Sequence, residues 1–220
     1  MIDVARMWRG GSAERQAGIP APLRELHRAV LRQFLHTGVP PTREWLRTAA
    51  GSLGLGESAI ADLAAADLVH LTDGVVRVAY PFSGTPTRQT VELDGLPAVY
   101  AMCAIDALGI PAMAARDGRI AATDPRDGSP VVVSVRNRSW TWTPATAVVR
   151  YGQAGQSGPD QGSCEVMCPH TTFHVSRDSA QAYRAEHPGI ETEILDQRAA
   201  VRLGRRIFGP LLGGTGITPG

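Results

Sequence analysis

A cysteine and an aspartate stand three residues apart in a small, apolar segment of the chain. Cys103 and Asp106 lie within Tyr-Ala-Met-Cys-Ala-Ile-Asp-Ala-Leu, residues 100–108. Alanine and leucine favour a helix, in which residues three apart share one face. A thiol beside a carboxyl predicts a site for one small ligand. The alternative is that Cys103 is a buried small side chain and Asp106 a capping or surface acid, since free cysteines are commonly buried.

A second group of reactive side chains contains Cys164, Cys168, His170 and His174. It follows a Gly/Gln/Ser-rich segment, residues 152–163, that predicts a flexible loop. Cys168 lies where this loop meets a predicted strand, a common place for reactive groups. The group could also be a zinc site or a Cys/His nucleophile pair. Zinc sites usually join two ligand pairs across a longer loop, and the nucleophile pair has no recognisable orienting partner.

Composition limits the classes of function. The chain has 220 residues, 43% of them hydrophobic, and a net charge of +1, which gives no general reason to bind polyanions. No run approaches the roughly 20 apolar residues that span a bilayer. With three cysteines and no apparent export signal, we expect free thiols rather than disulfides, and a cytoplasmic protein that does not bind membranes.

The elements before residue 84 predict a winged-helix-like unit. Residues 1–20 are interpreted as an arm or a peripheral helix. Residues 21–83 then hold three helices, the second capped by Thr42, and a hairpin that turns at Asp73 and Gly74. Such units often bind DNA, but the third helix would carry three acids and no base, which would repel phosphate. We therefore expect no nucleic-acid partner and interpret the unit as a structural one that packs against the rest of the protein.

Residues 84–210 predict the functional core, and residues 211–220 a flexible tail. Strands are predicted over 90–93, 119–122, 131–136, 147–151, 171–175 and 190–195, and helices over 176–187, capped by Ser176, and 197–208. Helices and mostly antiparallel strands in separate runs indicate an α+β fold.

Two segments together resemble the bacterial organomercurial (alkylmercury) lyases. Residues 96–112 are similar to the family's Tyr-Ala-x-Cys-Ala-[Leu/Ile]-Asp motif, which is followed by an apolar run and Pro-Ala. Residues 168–176, Cys-Pro-His-Thr-Thr-Phe-His-Val-Ser, are similar to its second-cysteine segment. The resemblance covers about residues 20–210 and includes the winged-helix-like unit.

The resemblance implies that Cys103 and Cys168 are catalytic cysteines and metal ligands, and that Asp106 is the catalytic acid. Mercury would be substrate and product rather than cofactor, and no cofactor is expected. Two thiolates suit this soft metal, and small thiols and a mercuric reductase are the expected partners after cleavage. The alternative is a metal-binding or sensing protein that holds mercury or copper without turnover.

The chain departs from the family pattern at several positions. Met102 stands where an aromatic residue is common, and Pro169 where some members have another cysteine. Thr123 and Asp124 replace a structural cysteine that is often found there, and Cys164 has no counterpart. None of these differences removes Cys103, Asp106 or Cys168.

Overall fold

The computed structural model describes residues 11–154 and 162–213. Within these two ranges the α-helices are α1 Ser12–Gly18, α2 Ala21–Thr37, α3 Arg43–Ser52, α4 Ala59–Ala65, α5 Ala104–Ala114, α6 Ser163–Val166, α7 Arg177–Glu186 and α8 Gln197–Phe208; a 3-10 turn covers Cys168–His170. The strands are β1 Val69–Thr72, β2 Val75–Ala79, β3 Phe82–Ser83, β4 Gln89–Leu93, β5 Val99–Ala101, β6 Gly118–Thr123, β7 Pro130–Arg136, β8 Ser139–Thr143, β9 Val148–Ala154, β10 Thr172–His174 and β11 Ile190–Leu195.

Two antiparallel sheets form the framework. The larger has eight strands in the order β1-β2-β3-β5-β4-β6-β7-β8, and the smaller has three in the order β10-β9-β11. On β7 the side chains of Val131, Val133 and Val135 are buried and alternate with more exposed neighbours. This alternation is expected of a strand with one face on the core. The predicted α+β class is confirmed.

The predicted N-terminal helices and hairpin are present. Thr42 caps α3 by accepting a hydrogen bond from the backbone nitrogen of Trp45 at 3.2 Å. The larger sheet, however, runs across the predicted boundary between residues 83 and 84, because β3 pairs with β2 on one side and with β5 on the other. Phe34 of α2 stacks on Phe82 of β3 with ring centroids 5.2 Å apart. The helices before the boundary therefore share a core with the strands after it.

Both ends of the described chain pack against the rest of the structure, and a helix lies within the N-terminal segment interpreted as an arm or a peripheral helix. Helix α1 packs against α8, and the buried Gln16 is 2.8 Å from Nδ1 of His27. At the other end Leu211 is fully buried, and its carbonyl accepts a hydrogen bond from Arg28. Residues 1–10 and 214–220, and most of the predicted loop, residues 155–161, lie outside the described residues.

Helices α5 and α8 cross at a contact that only glycine permits. A Cβ atom at Gly204 would lie 2.8 Å from the carbonyl oxygen of Ile105 and 3.0 Å from the nitrogen of Gly109. A Cβ at Gly109 would in turn lie 2.8 Å from the Cβ of Phe208. Real side chains do not tolerate such distances, so the backbones approach closely because both positions are glycine. The crossing places Gly204 of α8 beside Ile105, at the start of α5, and Phe208 beside Gly109.

The C-terminal elements agree with the sequence analysis. The hydroxyl of Ser176 accepts a hydrogen bond from the nitrogen of Ser179 at 3.1 Å and so caps α7, and α8 has the predicted bounds. Within residues 11–154 and 162–213, none of the helices combines the length and the apolar character needed to cross a bilayer.

Candidate active site

Cys103 lies between β5 and α5, at the residue that precedes the first helical turn. Its backbone is extended, with φ −147° and ψ −178°, so it is not inside the helix as the sequence suggested. Asp106 is the third helical residue, which is the residue that a capping side chain faces. The Sγ atom of Cys103 is 2.6 Å from Oδ2 of Asp106. The two side chains therefore meet through the geometry of a helix start rather than through a shared helix face.

Cys168 lies beside Cys103 and Asp106 although it is 62 residues from Asp106 in the sequence. It begins the 3-10 turn before β10, and the nitrogen of Ala104 donates to the carbonyl of Thr171 at 3.1 Å, which ties this turn to the start of α5. The Sγ atom of Cys168 is 3.9 Å from Oδ2 of Asp106. One ligand atom from each of Cys103, Asp106 and Cys168 lies within 4.8 Å of the other two, and all three residues are buried.

This separation suits a soft metal ion held between two thiolates. With metal–sulfur bonds of roughly 2.3 Å or a little longer, two sulfurs that share one metal lie about 4 to 5 Å apart. Among the described residues, these three form the one group of His, Cys, Asp and Glu side chains close enough to hold a metal together.

The three side chains open onto a cavity of about 160 Å³. Its walls come from α1, the segment after β2, the start of α5, β9, the Cys168 segment and the end of α8, and they include Arg15, Tyr80, Ile105, Tyr151, Ile207 and Phe208. An apolar cavity of about 150 Å³ is large enough to take up benzene. The space therefore fits a small alkyl group or one phenyl ring beside the two sulfurs.

Burial controls the protonation of the site. It raises the pKa of Asp106 from 3.8 to about 7, and the hydrogen bond from Cys103 is the largest opposing influence. Burial also raises the pKa of Cys103, while a hydrogen bond to Cys103 together with burial raises the pKa of Cys168 well above 9.0. A carboxyl with a pKa near neutrality both accepts and delivers a proton efficiently at the pH of a cell.

Replacement of Asp106 by asparagine is expected to stabilise the protein at alkaline pH. Because the folded pKa of Asp106 is raised, the folded chain binds this proton more tightly than the unfolded chain, so stability falls as pH rises from 3.8 to about 7. At 1.36 kcal/mol for each pH unit, the rise corresponds to at most about 4 kcal/mol. An asparagine side chain does not ionise and would avoid this loss.

Chemical denaturation at pH 4 and pH 8 measures the effect. The unfolding free energy of the Asp106→Asn variant should exceed that of the wild type clearly at pH 8 and much less at pH 4. Asp73→Asn, which changes an exposed aspartate in the β1-β2 turn, is the matched control and should show no such difference. An equal effect of Asp106→Asn at both pH values would show that the burial of an ionised carboxylate is not its cause.

The alternative cluster of Cys164, Cys168, His170 and His174 does not come together as a metal site. His174 is fully buried in a different network, with Nδ1 3.0 Å from Asp124 and Nε2 3.0 Å from the hydroxyl of Thr172. Cys164 is half-buried beside His70 and Tyr80. Burial raises its pKa, but hydrogen bonds with these two residues outweigh burial and leave the pKa below 9.0.

Asp124 has a structural role that the sequence analysis did not identify. Its carboxylate accepts hydrogen bonds from the nitrogens of Arg126 and Val175 and from the hydroxyl of Ser179. It is 1% exposed, so these bonds and His174 compensate for its burial. Asp124 thus connects the turn before β7 to β10 and α7.

The cavity walls also contain residues that no local pattern indicated. Arg15, Tyr80 and Tyr151 are far apart in the chain and carry no motif, and only the packing of α1 and of the two sheets brings them to the cysteines. Burial raises the pKa values of both tyrosines, and the negative charge of a nearby cysteine thiolate would raise them further, so both phenols stay protonated.

Comparisons with known proteins show which family the chain resembles. The family model for alkylmercury lyase matches residues 82–209, which include all three site residues. The alkylmercury lyase of Pseudomonas putida is 28% identical over 173 residues, which are 78% of this chain and 78% of that protein. The alkylmercury lyase of Streptomyces lividans is 32% identical over 137 residues, 61% of this chain and 59% of that one.

A solved structure has the same fold. The mercury-bound form of MerB2 superimposes with a TM-score of 0.73 and 20% sequence identity, and the match covers 92% of this chain and 97% of that chain. The match therefore extends well beyond the segment that the family model covers and includes most of the helices and strands before it.

Proposed function

This chain belongs to the alkylmercury lyase family, and from that premise we propose that Cys103, Cys168 and Asp106 perform the cleavage of a carbon–mercury bond in an organomercurial substrate. The observation that carries the proposal is the meeting of two buried sulfurs and one carboxyl within 4.8 Å. Mercury is a soft metal that prefers thiolate ligands, whereas the carbon that leaves it needs a proton. The site offers both kinds of group.

The first step is capture of the organomercurial by one thiolate. Cys103 is the better placed, because its sulfur already lies 2.6 Å from Oδ2 of Asp106 and can transfer its proton to that oxygen. Asp106 has a raised pKa of about 7, so it accepts the proton and keeps it inside the cavity. The mercury then holds one sulfur and its organic group.

Cys168 then binds the same mercury and makes it richer in electrons. The carbon–mercury bond breaks as Asp106 returns the proton to carbon, which gives the hydrocarbon and a mercury ion on two sulfurs. For a substrate that arrives as a thiol adduct, R–Hg–SR′ and two cysteine thiols give R–H, the dithiolate complex of Hg²⁺ and HSR′. Protons and charges balance, and neither an oxidant nor a reductant is needed.

Release of mercury requires other thiols. Two molecules of a small thiol would replace Cys103 and Cys168 on the Hg²⁺ and return both cysteines to the thiol form. A reducing cytoplasm supplies such thiols, and a mercuric reductase would consume the released ion. Both partners, like the absence of a cofactor, stay predictions.

The competing hypothesis is a protein that holds heavy metals without turnover. Membership in the lyase family favours catalysis, and so does Asp106, since a carboxyl that keeps a proton beside two sulfurs has no purpose in simple mercury storage. To test this, the protein is incubated with phenylmercury and excess thiol while benzene is followed by gas chromatography. We expect many benzene molecules for each chain. Bound mercury with no benzene beyond that of a protein-free control would contradict the proposal.

A further inference from the structure

Arg15 is the one cationic side chain among the described residues that line the cavity. It belongs to α1, which packs against α8 and so reaches the site from the N-terminal part of the chain. Its guanidinium group lies 6.0 Å from the ring centroid of Tyr80, and its Nη1 atom donates to the backbone carbonyl of Asp67 at 3.0 Å. The contact with the carboxylate of Asp67 is an ion pair.

Of this ion pair, Arg15 lines the cavity. Asp67 is not part of the cavity wall, and its carboxylate is also bound by Nε2 of His70 at 2.7 Å and by the hydroxyl of Ser163 at 2.7 Å. These contacts hold the carboxylate in place beside the guanidinium group. The Nε atom of Arg15 is buried and has no hydrogen-bond partner in the described part of the chain.

The charge of Arg15 reaches the reacting groups. Burial lowers the pKa of Arg15, and the ionised forms of Cys168 and Asp106 are among the groups that oppose that change. The coupling is mutual. Burial raises the pKa of Asp106, and the charge of Arg15 is among the influences that lower it.

The charge of the bound mercury differs between the substrate and product complexes. An organomercury cation carries one positive charge, so its complex with two thiolates has a net charge of −1. The product Hg²⁺ carries two positive charges, so its complex with the same thiolates is neutral, and the negative charge then lies on Asp106, which has given its proton to carbon. Arg15 is coupled more strongly to Cys168 than to Asp106, so it favours the state in which the charge lies on the sulfurs. In a buried site the negative complex is costly unless a cation lies near it.

From this geometry we propose that Arg15 is an electrostatic positioning residue for catalysis, whose guanidinium group, held by Asp67, stabilises the negatively charged complex of the organomercurial with Cys103 and Cys168. The inference rests on the proposed function of these two cysteines. It predicts that the charge of Arg15 raises kcat/KM for the organomercurial and hardly changes the affinity of the protein for Hg²⁺.

Four variants test the proposal: Arg15→Met, Arg15→Lys, Asp67→Asn and the double variant Arg15→Met with Asp67→Asn. For each, kcat/KM with phenylmercury and the affinity for Hg²⁺ in competition with a small thiol are measured. Arg15→Met should lower kcat/KM on the order of tenfold or more, where tenfold corresponds to about 1.4 kcal/mol. Its Hg²⁺ affinity should change little, and Arg15→Lys should recover much of the lost kcat/KM because it keeps the charge.

The double variant separates the electrostatic effect from a structural one. It removes the ion pair without leaving Asp67 as an unpaired charge, so a fold damaged only by that charge would recover. We expect kcat/KM of the double variant to stay as low as that of Arg15→Met. That of Asp67→Asn should exceed both, because this variant keeps the guanidinium group and the backbone carbonyl that binds it. Recovery in the double variant, an unchanged kcat/KM in Arg15→Met, or equal losses of kcat/KM and Hg²⁺ affinity would overturn the inference. A wild-type protein that releases no benzene would instead refute the proposed function itself.

Discussion

The Asp106→Asn variant is expected to bind mercury and to lose nearly all hydrocarbon release. Asparagine has almost the shape of aspartate but holds no transferable acidic proton, so the carbon has no nearby donor when its bond to mercury weakens. General acids contribute about a hundredfold to ten-thousandfold to a rate, and we expect a loss in the upper part of that range. Benzene release from phenylmercury measures the rate, and retention of mercury after gel filtration measures binding.

A control variant and a binding measurement make this prediction specific to the proton of Asp106. Asp73→Asn, the exposed control, should cleave phenylmercury at the wild-type rate. Mercury binding by Asp106→Asn should persist because both sulfurs remain in place. If Asp106→Asn releases benzene at the wild-type rate, the proton does not travel through Asp106, and its raised pKa is not a catalytic device.

The second large effect is expected from the two buried cysteines. Cys103→Ser and Cys168→Ser should each reduce turnover by on the order of a thousandfold or more. Both sulfurs must bind the same mercury, so the loss of either one removes the function of the pair. A hydroxyl is a hard ligand that does not ionise near neutral pH, so it cannot replace a thiolate on mercury. Benzene release under excess thiol is again the measurement.

Cys164→Ser is the matched control, because it makes the same atomic change four residues before Cys168. Cys164 is half-buried beside His70 and Tyr80 and does not belong to the group whose ligand atoms lie within 4.8 Å. We expect its turnover to stay near wild type. Loss of turnover in Cys164→Ser together with full turnover in Cys168→Ser would mean that the wrong second cysteine has been assigned. Circular dichroism melting curves exclude unfolding as the cause.

Much of the fold could be predicted because its signals are local. Thr42 and Ser176 cap their helices through their own side chains, and the turn at Asp73 and Gly74 sets the first hairpin. Sheet neighbours are different, because the pairing of β3 with both β2 and β5 depends on packing that no local pattern encodes. This is why the sheet continues through the joint that the sequence predicts after residue 83.

The site likewise contains residues that sequence signals identify and residues that only the packing of the chain brings in. Spacing alone pairs Cys103 with Asp106, although the contact forms through a helix start that the apolar run did not reveal. Cys168 is 62 residues from Asp106, and within the sequence only the resemblance to a known family selects it over Cys164. Arg15 had no signal, since a single arginine in a weakly patterned segment becomes part of a site only through the packing of α1.

The most direct test of the site is a single turnover in D₂O with one equivalent of phenylmercury and no free thiol. If two cysteines capture the mercury and an exchangeable proton on Asp106 reaches the carbon, each chain should release one benzene that carries one deuterium. The Hg²⁺ should then stay on the protein with two sulfur ligands, as X-ray absorption would show. Mercury retained on the two sulfurs with its phenyl group still attached would contradict the account.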